Sequence, residues 1–167
     1  MSRRLVILRH ARAEHGFAGP DHDRSLTESG RAQALEAGRR LALAGLVPDH
    51  VICSTATRTR QTLDGVLAEL PARPSVEFEE SAYAADLDTA FALINAADPD
   101  VGTLLLVGHN PTMADLASAF IDDPGLVSFP PASLAVVDLE VEWLYAAPGT
   151  GDGRILDGEG QVGKGEG

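Results

Sequence analysis

The sequence predicts an α/β domain of three layers, in which a mostly parallel central sheet has helices on both faces. Two observations support this fold class. Residues 5–8 and 103–108 are continuous apolar runs, which are typical of strands buried on both faces of a parallel sheet. Strand-like and helix-like segments also alternate from one end of the chain to the other, which favours parallel strands joined by helices.

The first strand and the first helix are separated by a loop. Residues 5–8 form the strand, and residues 16–25 are rich in turn-forming residues. From Thr27 onward, small and apolar residues recur at helical spacing, and the Thr27 hydroxyl can cap this helix by accepting from an orphan backbone N–H. Pro48 lies just beyond the predicted end of the helix, where a stop signal is expected.

The middle of the chain repeats this alternation. The predicted elements are, in order, a strand at 51–54, a helix marked by apolar residues at 63–70, a strand at 76–80 and a helix marked by apolar residues at 87–94. Pro71 ends the first of these helices, and Asp86 is placed to cap the second. The strand at 76–80 alternates apolar and acidic residues, which predicts one buried face.

The last elements follow the buried strand at 103–108. Asn110 is predicted as the N-cap of a helix, with Pro111 at the first helical position. A final strand is predicted at 134–144. One domain is therefore expected over residues 1–146. Residues 147–167 are Gly-rich, acidic and poor in core residues, and are predicted to be a flexible tail.

The charge and composition exclude several classes of protein. The chain has 167 residues and a formal net charge of −12, which disfavours nucleic acid and anionic membranes as partners. Cys53 is the only cysteine, so an internal disulfide is impossible. The N-terminal apolar run is too short for a signal peptide, and no stretch is long enough for a membrane helix. We expect a cytoplasmic monomer.

Five polar residues are predicted to lie at one edge of the sheet, where ligands bind in this fold class. They follow the first four strands, and they are Arg9, His10, Arg58, Glu80 and His109. Each alone is more often a structural or surface residue than a functional one. Their coincidence at one edge of an acidic protein favours a functional site.

These residue types suit phosphoryl chemistry. Arginine presents a planar fork of donors that matches phosphate oxygens and stays charged. A neutral imidazole can act as a nucleophile near pH 7 and accept a phosphoryl group covalently. A second, protonated imidazole would add charge against the phosphoryl oxygens. Phosphoryl transfer needs mainly positioning and neutralisation of charge, and this set supplies both.

Three motifs resemble those of the histidine phosphatase superfamily, whose fold is phosphoglycerate-mutase-like. They are "LRHA" near the start, "S-x-A-x-R-x-x-Q-T" at residues 54–62 and "GHNP" at 108–111. The "RHA" variant and the segment "DHDRSLTESGRAQA" resemble the SixA branch of small phosphohistidine phosphatases. The resemblance covers residues 4 to about 142. Ala11 replaces the glycine that the superfamily usually has beside its nucleophile.

The resemblance implies a role for each predicted site residue. His10 would accept the phosphoryl group, and Arg9, Arg58 and His109 would hold its oxygens. Glu80 would protonate the leaving group, although Glu77 and Glu79 lie close to it in sequence. The resemblance implies neither a metal ion nor another cofactor.

The favoured substrate is phosphohistidine on a protein. Imidazole, whose conjugate acid has a pKa of about 6.5, leaves with little help from an acid, whereas an alkoxide needs strong help. A short chain also lacks insertions that could close over a small molecule. Two alternatives stay open: a phosphatase of small phosphoesters such as sugar or nucleotide phosphates, and a non-catalytic phosphate-binding module.

The sequence disfavours two other kinds of site, a cysteine nucleophile and a metal centre. Cysteine-dependent phosphatases use C-x5-R, but Cys53 and Arg58 form C-x4-R, so Cys53 is expected to be a small buried residue. The remaining histidines lack the paired spacing of a metal site. They are His15, His22 and His50. Neither His22 nor Arg24, close to the predicted edge, is assigned a role.

Overall fold

The computed structural model describes residues 2–122 and 128–157, which contain a six-stranded sheet. The strands are β1 (Arg3–Arg9), β2 (His50–Ser54), β3 (Ser75–Glu79), β4 (Thr103–Gly108), β5 (Leu134–Leu139) and β6 (Gly151–Leu156). Their order in the sheet is β3-β2-β4-β1-β5-β6. The first four are parallel, whereas β5 is antiparallel to β1 and β6 is antiparallel to β5. The predicted mostly parallel sheet is confirmed.

Helices cover both faces of the sheet. They are α1 (Glu28–Leu43), α2 (Thr57–Ala68), α3 (Leu87–Asn95) and α4 (Thr112–Ser118). Because side chains alternate along a strand, Val6 packs with Leu41 of α1 on one face. Ile7 belongs to the core on the other face, which includes Phe91 of α3 and Leu116 of α4. The three-layer architecture is therefore as predicted.

Two of the three predicted helix caps are confirmed. Thr27 accepts a hydrogen bond from the backbone N–H of Gly30 at 2.9 Å, and Asp86 caps α3 in the same way through Thr89. The helix α4 begins at Thr112, one residue later than predicted, so Pro111 is its N-cap. The side chain of Asn110 still accepts from a backbone N–H inside the helix, that of Ala114, at 3.2 Å.

Two predicted strands differ from the observed ones. The strand β3 lies at an edge of the sheet, and its predicted buried face is only partly confirmed, because Val76 is half-buried against the core whereas Phe78 is exposed. The last predicted strand ends at Leu139 instead of continuing to residue 144. The apolar pattern continues beyond this point because a turn buries Trp143, whose indole N–H donates to the Val101 carbonyl at 2.7 Å.

The glycines after residue 147 allow close packing of part of the predicted tail. Gly151–Leu156 forms β6, so the prediction of a flexible tail is wrong for these residues. A Cβ at Gly151 would lie 2.8 Å from the Asp138 carbonyl oxygen, and one at Gly153 would lie 2.9 Å from Phe120 Cβ. Only glycine permits this approach. Residues 158–167 lie outside the described residues, and the prediction for them stays a prediction.

The sheet topology brings three strand ends together. The strands β2, β4 and β1 are parallel neighbours, and Arg9 pairs in register with Gly108. The segments that follow them begin at Thr55, His109 and His10, at the same edge of the sheet. Among the described residues, we find no helix with the length and apolar character needed to cross a membrane.

Candidate active site

The backbone around His10 is fixed by hydrogen bonds from three directions. The His10 N–H donates to the Gly108 carbonyl at 3.0 Å, and the Ala11 N–H donates to the Thr62 hydroxyl at 2.9 Å. The N–H of Ala132 donates to the carbonyls of Arg9 and His10 at 3.1 and 3.0 Å. Ala132 has a φ of 66°, which is costly for a residue other than glycine. The fold thus holds the end of β1 in one conformation.

Arg9, His10, Arg58 and His109 line one cavity of about 500 Å³. Its described lining residues are Arg9, His10, Arg12, Ala13, His15, Arg24, Gln33, Arg58, His109, Asn110 and Pro131. Four of them are arginines and three are histidines, and within this described set none is acidic. The cavity is therefore a local cationic site in a chain whose net charge is −12.

The His10 ring is held in the tautomer that a nucleophile requires. Its Nδ1 lies 2.7 Å from the Ala11 carbonyl oxygen, which can only accept, so Nδ1 carries the proton and Nε2 keeps its lone pair. Burial, together with the smaller effects of the charges of Arg58 and Arg9, lowers the His10 pKa to about 4, although the hydrogen bond to Ala11 opposes this shift. His10 is therefore neutral at pH 7.

His109 lies beside His10 at the end of β4. The two ring centroids are 5.3 Å apart, and His109 Nε2 is 2.8 Å from Ser54 Oγ. Burial and the nearby charges of Arg58 and His10 lower the His109 pKa to about 3. A phosphoryl dianion between these groups would oppose that shift, since a nearby negative charge favours the protonated imidazole.

Arg58 is almost fully buried in the first turn of α2, where its side chain is held by Asp21. Its Nη1 donates to the Asp21 carbonyl at 2.8 Å, and its Nη2 donates to Asp21 Oδ2 at 3.0 Å. A guanidinium has five N–H donors, so three remain for another acceptor. Arg9 similarly uses Nη1 to donate to the Phe129 carbonyl at 3.1 Å.

Three polar atoms of this site are buried without a hydrogen-bond partner among the described residues. They are Nε of Arg9, Nε of Arg58 and Nδ1 of His109. An unpaired buried donor or acceptor costs about 1–3 kcal/mol. Such unpaired groups in an arginine- and histidine-lined cavity are consistent with a site built for an anion.

Asp21, which was not among the predicted site residues, connects the loop before α1 to the site. Besides Arg58, Tyr83 donates its hydroxyl to Asp21 Oδ2 at 2.6 Å, and Arg24 Nε donates to Oδ1 at 3.0 Å. The hydrogen bond from Tyr83, with those from Arg58 and Arg24, holds the pKa of Asp21 far below its usual range. Asp21 is thus a counter-ion and not an acid. No local sequence pattern links Asp21 to Tyr83, which lies 62 positions away.

Glu80 does not join the other four predicted residues. It is exposed at the start of the short turn Glu80–Ala82, and it is absent from the described lining of the cavity. The same turn directs Tyr83 toward the site, where its ring centroid lies 5.4 Å from that of His109. The predicted role of Glu80 as proton donor finds no support in this placement.

The competing nucleophile Cys53 and two of the remaining histidines, His22 and His50, lie outside the described lining of the cavity, whereas His15 belongs to it. Cys53 is completely buried, and burial raises the pKa of its thiol to about 12, so it is no thiolate at pH 7. His22 Nε2 pairs with the Thr55 hydroxyl at 2.8 Å, and its ring meets Tyr83 edge-on. His50 starts β2, at the opposite end of that strand from the site, and contacts Ser75 and Glu77 there.

We expect the substitution Ser54→Ala to lower kcat/KM about tenfold, which corresponds to the loss of one hydrogen bond of about 1.4 kcal/mol. Ser54 is completely buried, and its hydroxyl holds the His109 ring. Steady-state kinetics measure the effect of the substitution on kcat/KM, and urea unfolding measures its effect on the free energy of unfolding. In the matched control Ser118→Ala, the lost hydroxyl bonds to the Ala114 carbonyl on α4, so kcat/KM should stay unchanged. Equal kcat/KM for both variants would contradict a positioning role for Ser54.

A family model and a relative of known sequence each match more than half of this chain. Residues 5–100 match the model of the histidine phosphatase superfamily, branch 1. An uncharacterised protein of Mycobacterium tuberculosis is 35% identical over 151 residues, which cover 85% of this chain and 93% of that protein.

Two solved structures are similar over almost the whole chain. A protein of Nakamurella multipartitia, provisionally assigned as the phosphohistidine phosphatase SixA, is 32% identical, with a TM-score of 0.81 and coverage of 95% of this chain and 96% of its own. A protein of Agrobacterium tumefaciens with the same provisional assignment is also 32% identical. Its TM-score is 0.77, and the match covers 94% of this chain and 97% of that one.

Proposed function

This chain belongs to the histidine phosphatase superfamily and is a phosphatase, and from that basis we propose that it removes the phosphoryl group from phosphohistidine on a protein. One observation carries the choice of substrate. The neutral nucleophile His10 lies in a cavity whose described lining holds cations but no carboxyl group that could protonate a leaving group.

In the first step, His10 Nε2 attacks phosphorus in line with the bond to the leaving nitrogen. The new Nε2–P bond forms as the bond between phosphorus and the substrate imidazole breaks. Arg9 and Arg58 donate to the phosphoryl oxygens, and His109 adds a third donor when the dianion raises its pKa. These groups stabilise the charge of the transition state without having to reorganise.

In the second step, water attacks phosphorus and His10 leaves. Because the Ala11 carbonyl keeps the proton on Nδ1, phosphorylated His10 is an imidazolium and departs as neutral imidazole. The products are inorganic phosphate, the regenerated His10 ring and one proton released from the attacking water. The hydrogen bond to Ala11 therefore serves both steps, since it first frees Nε2 for attack and then makes His10 a good leaving group.

The leaving group distinguishes phosphohistidine from phosphoesters. A substrate imidazole protonated on its second nitrogen leaves as a neutral ring, with a conjugate-acid pKa of about 6.5. An alkoxide requires a proton from the protein. Glu80 is exposed outside the described lining, and Asp21 is held ionised by Tyr83, Arg58 and Arg24. The assignments of the two structures at 32% identity support the same substrate class.

The test is a comparison of kcat/KM between a phosphohistidine-containing carrier protein, phosphoramidate, and a panel of sugar and nucleotide phosphates. We expect the two N–P substrates to be hydrolysed far faster than any phosphoester. A preference for a sugar or nucleotide phosphate would overturn the proposed substrate while leaving His10 as the nucleophile. Tight phosphate binding without turnover of any compound would overturn catalysis itself.

The pH dependence of phosphoenzyme formation should follow the lowered pKa of His10. A histidine with a pKa of about 6.5 would lose roughly tenfold of its neutral form by pH 5.5. Because the pKa of His10 in the free protein is about 4, its neutral form persists to pH 5.5, and the second-order rate constant of phosphoenzyme formation should fall only as the pH approaches 4. Rapid-quench measurement of acid-labile phosphoenzyme would give this profile. A midpoint near 6.5 would contradict the burial argument.

A further inference from the structure

The cavity is lined by more arginines than one phosphoryl group needs, since Arg12 and Arg24 line it besides Arg9 and Arg58. His10 and Arg58 are 8% and 5% exposed, and together with Arg9 and His109 they form the inner part of the cavity. Arg12 and His15 line the same cavity but are exposed, which places them at its mouth.

The backbone of Arg12 is held firmly. Its N–H donates to Gln33 Oε1 at 2.9 Å, and its carbonyl accepts from the Thr27 N–H at 3.0 Å. The start of α1 packs so closely here that a Cβ at Gly30 would collide with the Arg12 carbonyl oxygen. The position from which the side chain leaves the backbone is therefore fixed relative to the cavity.

The head group of Arg12, in contrast, is uncommitted. Within residues 2–122 and 128–157, its guanidinium takes part in no hydrogen bond or ion pair that the structure shows. Arg24, also in the cavity lining, is already engaged by Asp21 and by the Glu14 carbonyl at 2.9 Å. Arg12 thus presents five unused donors beside the path of the substrate.

We propose that Arg12, assisted by His15, binds a second anionic group of the substrate: a carboxylate side chain next to the phosphohistidine on the partner protein. This inference rests on the proposed function. A guanidinium pairs with a carboxylate through two parallel hydrogen bonds. Only a protein substrate presents neighbouring side chains at the mouth when its phosphohistidine enters the cavity.

The net negative charge of the chain increases the selectivity for where the carboxylate binds. A chain with net charge −12 repels acidic surfaces, and this repulsion acts over about 8 Å at physiological ionic strength. An acidic side chain of the partner is favoured only where it meets the guanidinium of Arg12. Arg12 would therefore select the position of the carboxylate relative to the phosphohistidine and not the total charge of the partner.

The kinetic test uses two phosphohistidine peptides that differ in one flanking residue, Glu or Gln. The wild-type protein should have a kcat/KM about fivefold higher for the Glu peptide, the upper range for an exposed ion pair. Arg12→Gln should bring the ratio of kcat/KM for the Glu and Gln peptides to about one, and His15→Gln should reduce this ratio. Arg31→Gln is the matched control, because Arg31 is exposed on α1 and is absent from the described lining. An equal loss in both arginine variants would overturn the proposal.

A binding experiment tests the second anion site without requiring turnover. Affinities of 4-phosphonobutyrate and butylphosphonate, measured by calorimetry, differ by the effect of one carboxylate. Tighter binding of 4-phosphonobutyrate in the wild type, lost in Arg12→Gln, supports the second anion site. If neither peptide is hydrolysed while this preference holds, the proposed protein substrate fails and the anion site stands. Equal affinities in the wild type, with equal rates on the two peptides, would overturn the site.

Discussion

Replacement of His10 by alanine is expected to lower turnover by about 10⁴-fold or more, the scale seen when a covalent nucleophile is removed. The reason is that Nε2 of His10 would have no substitute: in the proposed mechanism, the other residues of the cavity bind and polarise the phosphoryl group but form no bond to it. The measurement is kcat on the favoured substrate together with trapping of acid-labile phosphoenzyme, which should disappear completely.

The control for this experiment is Cys53→Ala, which removes the competing nucleophile. Cys53 is buried with a thiol pKa raised to about 12, so its loss should change stability slightly and leave turnover intact. Phosphate binding to His10→Ala would establish that the cavity survives the substitution. An inactive Cys53→Ala protein beside an active His10→Ala protein would reverse the assignment of the nucleophile.

The substitution Arg58→Lys should lower kcat/KM by about 10²–10³-fold, although the positive charge is retained. Arg58 donates twice to Asp21 and still offers donors to a phosphoryl oxygen, which requires a planar fork of N–H groups. A lysine ammonium has three donors around one nitrogen and cannot span both partners. Steady-state kinetics and the inhibition constant of inorganic phosphate would report the loss.

Arg60→Lys is the matched control, because Arg60 lies in the same helix but outside the described lining of the cavity. Its guanidinium donates to the Thr55 carbonyl at 2.9 Å and stacks 4.0 Å from the centre of the Phe78 ring. Urea unfolding of both variants separates a folding defect from a catalytic one. If the two lysine variants lose equal amounts of kcat/KM, Arg58 has no special role in phosphoryl transfer.

The layered architecture was predictable because it depends on local patterns. Continuous apolar runs identify β1 and β4 without reference to any distant residue, and Thr27 and Asp86 mark the starts of two helices through their own hydroxyl or carboxylate. The edge strands β3 and β6 were harder to predict from the sequence. In β6, glycines indicate flexibility when read alone, whereas Phe120 and Asp138 on neighbouring elements make them necessary for close contact.

The same distinction applies to the site. Arg9 ends β1, His10 and His109 follow strands whose carboxyl ends meet at one edge, and Arg58 follows a third strand, so their proximity was predicted from topology alone. Glu80 was grouped with them by the same reasoning. However, β3 lies at the edge of the sheet, and the turn that follows it directs Tyr83, and not Glu80, toward the site. The Asp21 contacts depend on how a loop folds over that turn, and no strand pattern contains this information.

The position of β6 also determines where the chain can be shortened without damage. A recombinant fragment ending at residue 146, the boundary that composition alone indicated, would remove the outermost ribbon and uncover the backbone N–H and C=O groups of Leu134–Leu139. An apolar edge strand with unpaired backbone groups can pair with the same strand of another molecule. Such a fragment would therefore be prone to self-association and precipitation. Expression designs, fusion junctions and crystallisation fragments should keep the chain intact through residue 157.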